Sequence, residues 1–274
     1  MIPISTIEQA HIVEFGEGRA MADLYAAAPP EFTAEQGLNV RRFGDGYAFA
    51  LTAMPAIILN RAVCLGLNDP LTTPQLDEVI DHYEALGAAD YGVQISPVVL
   101  SDGLRHHMEQ RGLRPLANWT KFIRGVAPPQ KTDTRLRVEL IAADKAASFT
   151  RVFCTAYGIP ESIAPLIIAA VGRPGWRYYL AFDEEIPVAS GVLYVHDTIG
   201  WLGFASTLPS HRGRGAQSAI IARRIVDAAS LGCRYLTTET AESTPENPVT
   251  SYHNMIRFGF QQVYLRPSYE VGSA

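Results

Sequence analysis

The sequence predicts an α/β fold of the α+β kind, a mixed central sheet flanked by helices, built twice along the chain. Three observations predict it. Strand-like runs at 177–182, 187–195 and 201–207 follow one another with no helix between them, which a doubly wound sheet does not do. A glycine-bearing loop, a helix and another strand come next, and a strand-loop-helix-strand unit of this kind makes its two strands parallel with a right-handed crossover. The stretch 126–134 has paired prolines, then polar residues with no hydrophobic period, and reads as a linker between two segments of ordinary domain size. The expected division is 1–126, a linker at 127–135, and 136–274.

Composition bounds what such a chain does. Its 274 residues are 47% apolar, with 23 basic against 28 acidic side chains and a formal net charge of -5. No broad cationic field exists for a nucleic acid or an anionic membrane, so neither is an expected partner, and any anion site must be local. Cys64, Cys154 and Cys233 are odd in number and far apart, which suits a reducing cytosol; none has metal-ligand spacing, and no metal is expected. No apolar run approaches the roughly 18 residues that span a bilayer, and the first ten residues lack a signal-peptide pattern, so a cytoplasmic protein is expected. Oligomeric state leaves no trace in the sequence.

Within the second segment, Ala147, Phe149, Val152, Phe153 and Ala156 recur at helical spacing until Gly158-Ile159-Pro160 stops them, and a short helix follows Glu161. After the three strands, Ile221, Ile225 and Ala228 share one face of a helix that ends at Leu231-Gly232. A strand at 235–239 follows, then a helix capped by Thr250 or Ser251 and stopped at Gly259, then a last strand at 260–265.

The chemistry concentrates where the third strand meets its helix, at Arg212-Gly213-Arg214-Gly215-Ala216-Gln217-Ser218. A helix start offers unpaired N–H groups and the positive end of a dipole, glycines admit close backbone approach, and two arginines add charge, so a pyrophosphate suits the loop. A P-loop would need Gly-Lys-Ser/Thr at its end, and a dinucleotide fold would place such a loop after the first strand of a βαβ series. Neither context is met.

With its element order, this segment resembles the acyl-CoA loop of the GNAT N-acetyltransferase superfamily, whose signature is Arg/Gln-x-x-Gly-x-Gly/Ala. The resemblance covers about 136–270. It departs at Gln217, where a small residue is usual, and the side chain is expected to point away from the ligand. The resemblance implies acetyl-CoA or another acyl-CoA as cosubstrate. Its pyrophosphate would rest on the amides of Gly213, Arg214, Gly215, Ala216, Gln217 and Ser218 beside Arg212, and its pantetheine arm on the backbone of Ala205, Ser206 and Thr207. Asn247 and Asn254 would line the channel. Acyl transfer to a small amine or peptide then needs a base and an acid. Glu239, at the end of the strand at 235–239, is the candidate base, ahead of His196, Asp197 and His253. The tyrosine usual four residues before the glycine closing the penultimate helix is Met255 here, and Tyr252, one turn earlier, is the candidate acid. Met255 also motivates a rival: a non-catalytic acyl-CoA sensor or scaffold.

The first segment echoes the second. His106 to Gly112 has the histidine-to-glycine spacing of His253 to Gly259; Glu84-Ala-Leu-Gly87 and Tyr91-Gly-Val-Gln94 echo Ala229-Ser-Leu-Gly232 and Tyr235-Leu-Thr-Thr238. In place of the arginine-glycine loop stands Asn68-Asp-Pro-Leu-Thr-Thr-Pro-Gln75, whose aspartate repels phosphate and whose prolines delete amides. A degenerate amino-terminal copy that does not hold CoA, but braces or shapes the acceptor site, is the expectation.

Overall fold

The computed structural model describes residues 6–54 and 56–271. The first half runs α1 (Thr6–Ala26), α2 (Pro30–Gln36), β1 (Leu38–Phe43), β2 (Gly46–Leu51), β3 (Arg61–Val63), α3 (Thr73–Ala85), β4 (Gly92–Gln94), α4 (Asp102–Gln110) and β5 (Leu113–Gly125). The second runs β6 (Arg137–Ile141), α5 (Ala146–Tyr157), α6 (Ala164–Ile167), β7 (Trp176–Asp183), β8 (Ile186–His196), β9 (Ile199–Thr207), α7 (Ala216–Ser230), β10 (Tyr235–Ala241), α8 (Thr250–Arg257) and β11 (Gln261–Val271). Apart from β6 and the lengths of individual elements, the two halves share one order, two helices, three strands, helix, strand, helix, strand. Residues 126–136 between them have no regular structure.

β6 is the element the sequence does not announce. Its five residues, Arg137-Val-Glu-Leu-Ile141, do alternate polar with apolar, but the run is short, follows directly on the polar stretch read as a linker, and only Ile141 is buried. It is nonetheless paired antiparallel with β7 along its whole length. With β6 counted, β9 is the fourth strand of its half.

The compact units do not follow chain order. One comprises Phe122–Thr238 with His253–Gln261; the other takes residues up to Lys121, Glu239–Tyr252 and the stretch from Gln262 on. The division expected from the sequence is 1–126, a linker at 127–135, and 136–274, whereas Ser268, Tyr269 and Glu270 of β11 lie antiparallel against Gln94, Val93 and Gly92 of β4, in the first half. Strand pairing depends on backbone groups that every residue carries, so the choice of partner leaves little mark in the sequence.

In the unit holding the second half's strands, β6, β7, β8 and β9 form an antiparallel meander and β10 joins β9 in parallel. Helix α7 covers this sheet, with Ala216 and Ile220 packed on Ala181, Val188 and Ala189. Helix α5 packs Phe149 edge-on against Tyr178, ring centroids 4.9 Å apart. In the other unit, β1, β2 and β3 are antiparallel neighbours and β3 is parallel to β4. There α3 buries Leu76, Val79, Ile80 and Tyr83 against Ala48, Ala62, Val93 and Tyr269.

All three cysteines are buried free thiols. Among the described residues no helix is long and apolar enough to cross a membrane, and no group of three or more His, Cys, Asp or Glu could hold a metal ion.

Candidate functional site

The loop after β9 begins with a single 3-10 turn at Pro209–His211, after which Arg212 is extended, and Gly213 and Gly215 take φ of +78° and +83°. Gly215 is the cap residue of α7, and it offers no side chain to the first-turn amides; no acidic residue sits in that turn either. The helix start is thus left to whatever binds there. A Cβ on Gly215 would come within 3.0 Å of Thr134 Cβ, because residues 133–134 run alongside the loop and Thr134 Oγ1 donates to the Arg214 carbonyl at 2.9 Å.

The two arginines differ. Arg214 Nη1 lies 2.7 Å from Asp183 Oδ2, in a partly exposed ion pair. Arg212 is exposed and tied to no carboxylate among the described residues. The oversized Gln217 turns toward α8: its Oε1 accepts from Asn254 Nδ2 at 2.5 Å, while Arg257 Nη2 donates to both Asn254 Oδ1 and Ser218 Oγ. Asn254 is thereby brought to the loop.

The strand that leads into the loop is distorted. Register with β8 passes from Ser190↔Ser206 to Val192↔Gly203, so Phe204 and Ala205 together face Gly191 in a bulge, and Phe204 takes φ of +47°. Pairing with β10 stops after Trp201↔Thr237, leaving the rest of β9, with Ala205, Ser206 and Thr207, free of that partner. Beneath the bulge lies fully buried Arg224, whose Nη1 donates to the carbonyls of Val192 (2.9 Å) and Gly203 (3.3 Å). Burial pushes its pKa down to about 10. The sequence did carry a sign of it, a lone cation within the apolar stripe Ile221, Ile225, Ala228. Gly191 makes room for it, since a Cβ there would meet Ile220 Cγ2 at 2.6 Å and Arg224 Cζ at 3.3 Å. Gly191→Ala is expected to lower stability by about 1–3 kcal/mol, the usual cost of overpacking, read from denaturant midpoints.

The corresponding helix of the first half is closed. Thr72 Oγ1 accepts from Gln75 N–H, and Gln75 Oε1 accepts from Thr72 N–H at 3.0 Å, a reciprocal capping box with Pro74 in the first turn. Its own side chains occupy the amides that a phosphate would need.

No family model matches the sequence, and no curated protein matches it either. Solved structures do. A GCN5-related N-acetyltransferase from Kribbella flavida superposes with a TM-score of 0.62 at 14% identity, over 94% of this chain and 97% of that one. A GCN5-related N-acetyltransferase from Sphaerobacter thermophilus gives 0.60 at 15% identity, over 82% and 76%. A tandem GNAT protein from the clavulanic acid biosynthesis pathway gives 0.54 at 11% identity and covers 100% of this chain and 98% of its own. The chain has the tandem GNAT fold.

On this GNAT fold the remaining candidates fall as follows. The loop residues 212–218, the bulged strand and Asn254 belong to one unit; Glu239, Asn247 and Tyr252 belong to the other. Asn247 sits in an exposed turn closed on Thr244. The Tyr252 hydroxyl donates to Gln262 Oε1 at 3.1 Å. Met255 is buried. His196 and Asp197 pair with each other at a turn, 3.0 Å apart, and His253 is exposed.

Glu239 is part of a charged network that the sequence did not reveal. Glu17 of α1 contacts Arg61 of β3, Lys121 of β5 and Arg266 of β11, each at 2.7 Å, and Arg266 also binds Glu14 at 2.7 Å. Lys121 reaches Glu239 at 3.3 Å. Burial alone would raise Glu17, but Arg266, Lys121 and Arg61 outweigh it and hold the carboxyl well below the usual range. Burial, then the charge of Glu17, pushes Glu239 up.

Proposed function

We propose that the chain is an acyl-CoA-dependent N-acyltransferase that moves an acyl group, acetyl by default, to a primary amine by direct transfer in a ternary complex. The observation that carries this is the uncapped glycine loop opening α7 straight after a bulged strand that parts from its parallel neighbour. Gly213 to Ser218 would hold the CoA pyrophosphate with Arg212, and the free stretch of β9 would pair with pantetheine as a strand pairs with a sheet edge. Arg214, engaged with Asp183, would shape the loop more than it binds. Glu239 would take the proton of the attacking ammonium, and Tyr252 is one candidate for the acid. The first half, with its helix start closed by Thr72 and Gln75, would bind no CoA and would shape the acceptor site; the acceptor class is a small amine or peptide.

Titration calorimetry with CoA, ATP and NAD tests the cosubstrate, and CoA is expected to bind tightest. Thiol release from acetyl-CoA against an amine panel tests the reaction. With Glu239 as base, kcat/KM falls as pH falls through its pKa, because the protonated carboxyl accepts nothing; the acid limb is therefore expected above the ordinary carboxylate range. A limb at or below that range would remove Glu239 from the role. Met255 at the usual acid position favours a second reading, an acyl-CoA sensor or scaffold. Tight CoA binding with no amine raising thiol release above hydrolysis would decide for it.

A further inference from the structure

Tyr157 closes α5, and Gly158, at φ +66°, ends the helix there so that the tyrosine ring stands at its tip. Its hydroxyl donates to the carbonyl of Ala205 at 2.8 Å, at the bulge of β9. The ring is not part of the core; it is 58% exposed. It is nevertheless braced: its centroid is 4.9 Å from that of Phe153, which meets Phe204 edge-on at 5.5 Å. Two residues that define the bulge, Phe204 and Ala205, are thus contacted by one aromatic pair from α5, in the same unit as the loop 212–218.

We infer that Tyr157 is the proton donor to the departing CoA thiolate, a role that rests on the acyltransferase reading above. The amine nitrogen bonds to the thioester carbonyl carbon, the carbon–sulfur bond breaks, and its electron pair goes to sulfur. The Tyr157 hydroxyl proton passes to that sulfur to give the free thiol, and the proton lost by the amine goes to the base. The phenolate left behind regains a proton from water, which the exposed ring admits.

Three features fit Tyr157 to the task. Its hydroxyl now bonds a neutral carbonyl rather than a carboxylate, so it carries its own proton and no anion competes for it. That carbonyl, of Ala205, belongs to the stretch of β9 assigned to the pantetheine arm. Met255 has no proton to give, and the Tyr252 hydroxyl is engaged with Gln262 in the unit that does not contain the loop.

The test uses the full chain with Tyr157→Phe and, separately, 3-fluorotyrosine at position 157. The phenylalanine variant keeps the packing on Phe153 and is expected to lose about 100-fold in kcat, the lower end of general-acid effects, with acetyl-CoA affinity by calorimetry within about twofold. Fluorination lowers the phenol pKa, so the rate should begin to fall at a lower pH than in the unmodified protein, because the acid must be protonated to act. A purely structural tyrosine would not move that limb. Turnover by Tyr157→Phe within about threefold of the unmodified protein, a basic limb indifferent to fluorination, or a limb that answers to Tyr252→Phe instead overturns the inference while leaving the acyltransferase reading intact. An unmodified chain that binds acetyl-CoA and acylates no amine overturns both.

Discussion

Glu17→Gln is expected to destabilise the unit that contains it by about 3–5 kcal/mol, the range seen when one partner of a buried ion pair is removed. Glu17 is fully buried and touches all three of Arg61, Lys121 and Arg266. Glutamine keeps the shape and removes the charge, so three buried cations would face only Glu14 and Glu239. Some buried guanidinium N–H groups, Arg61 Nε and Nη1 and Arg266 Nε, already lack a hydrogen-bond partner, so the network has few spare acceptors with which to relax. Against a typical net stability of about 5–15 kcal/mol the loss is large. Urea midpoints of the two proteins measure it.

The pH dependence has a definite sign. The folded-state pKa of Glu17 is depressed, so its contribution is present in full above the unfolded carboxylate value of about 4.3 and is lost as pH falls through the folded value. The gap between wild type and Glu17→Gln should therefore narrow below about pH 4.3. A difference under about 1 kcal/mol at pH 7 would mean the charges are compensated from elsewhere.

The second large effect is on binding. Gly215→Glu should abolish measurable CoA affinity, since it places a carboxylate at the helix start where two phosphates are proposed to sit. It also carries a structural cost: φ of +83° is a conformation that side chains disfavour by about 1–2 kcal/mol, and the new Cβ presses on Thr134. Arg212→Ala separates the two effects. Its side chain is exposed, so the fold should be indifferent, while loss of a hydrogen bond to a charged phosphate costs about 1.5–3 kcal/mol, roughly 10- to 100-fold in Kd. Calorimetry with CoA and a thermal melt of each variant give both readings. Should Arg212→Ala bind CoA as tightly as the parent, the loop is not where the pyrophosphate rests.

Much of the fold was legible beforehand because its signals are local. Periodicity marked α5, α7 and the meander, and glycines at helix ends marked where they stop. The repeat between halves survives in spacings such as His106–Gly112 and His253–Gly259, whose closing glycines both adopt positive φ. The loop 212–218 could be read because its chemistry is written in consecutive residues. β6 escaped because its alternating run is only five residues long and adjoins the polar stretch read as a linker.

Other features were illegible because they exist only between residues remote in the chain. Glu14, Glu17, Arg61, Lys121 and Arg266 look like ordinary surface charges in sequence, and each is buried only because the others are. Tyr157 ends a helix, as many tyrosines do, and becomes interesting only when its hydroxyl reaches a strand 48 positions away. The sequence by itself determined the order of elements in the second half apart from β6, the duplicated plan and the open helix start, since these follow from local backbone preferences and short spacings. Only the tertiary structure decided that β11 pairs with β4, that Arg224 lies beneath a bulge and that Glu239 is wired to Lys121. Those outcomes depend on which distant groups meet away from water, where an unpaired charge or amide is too costly to persist.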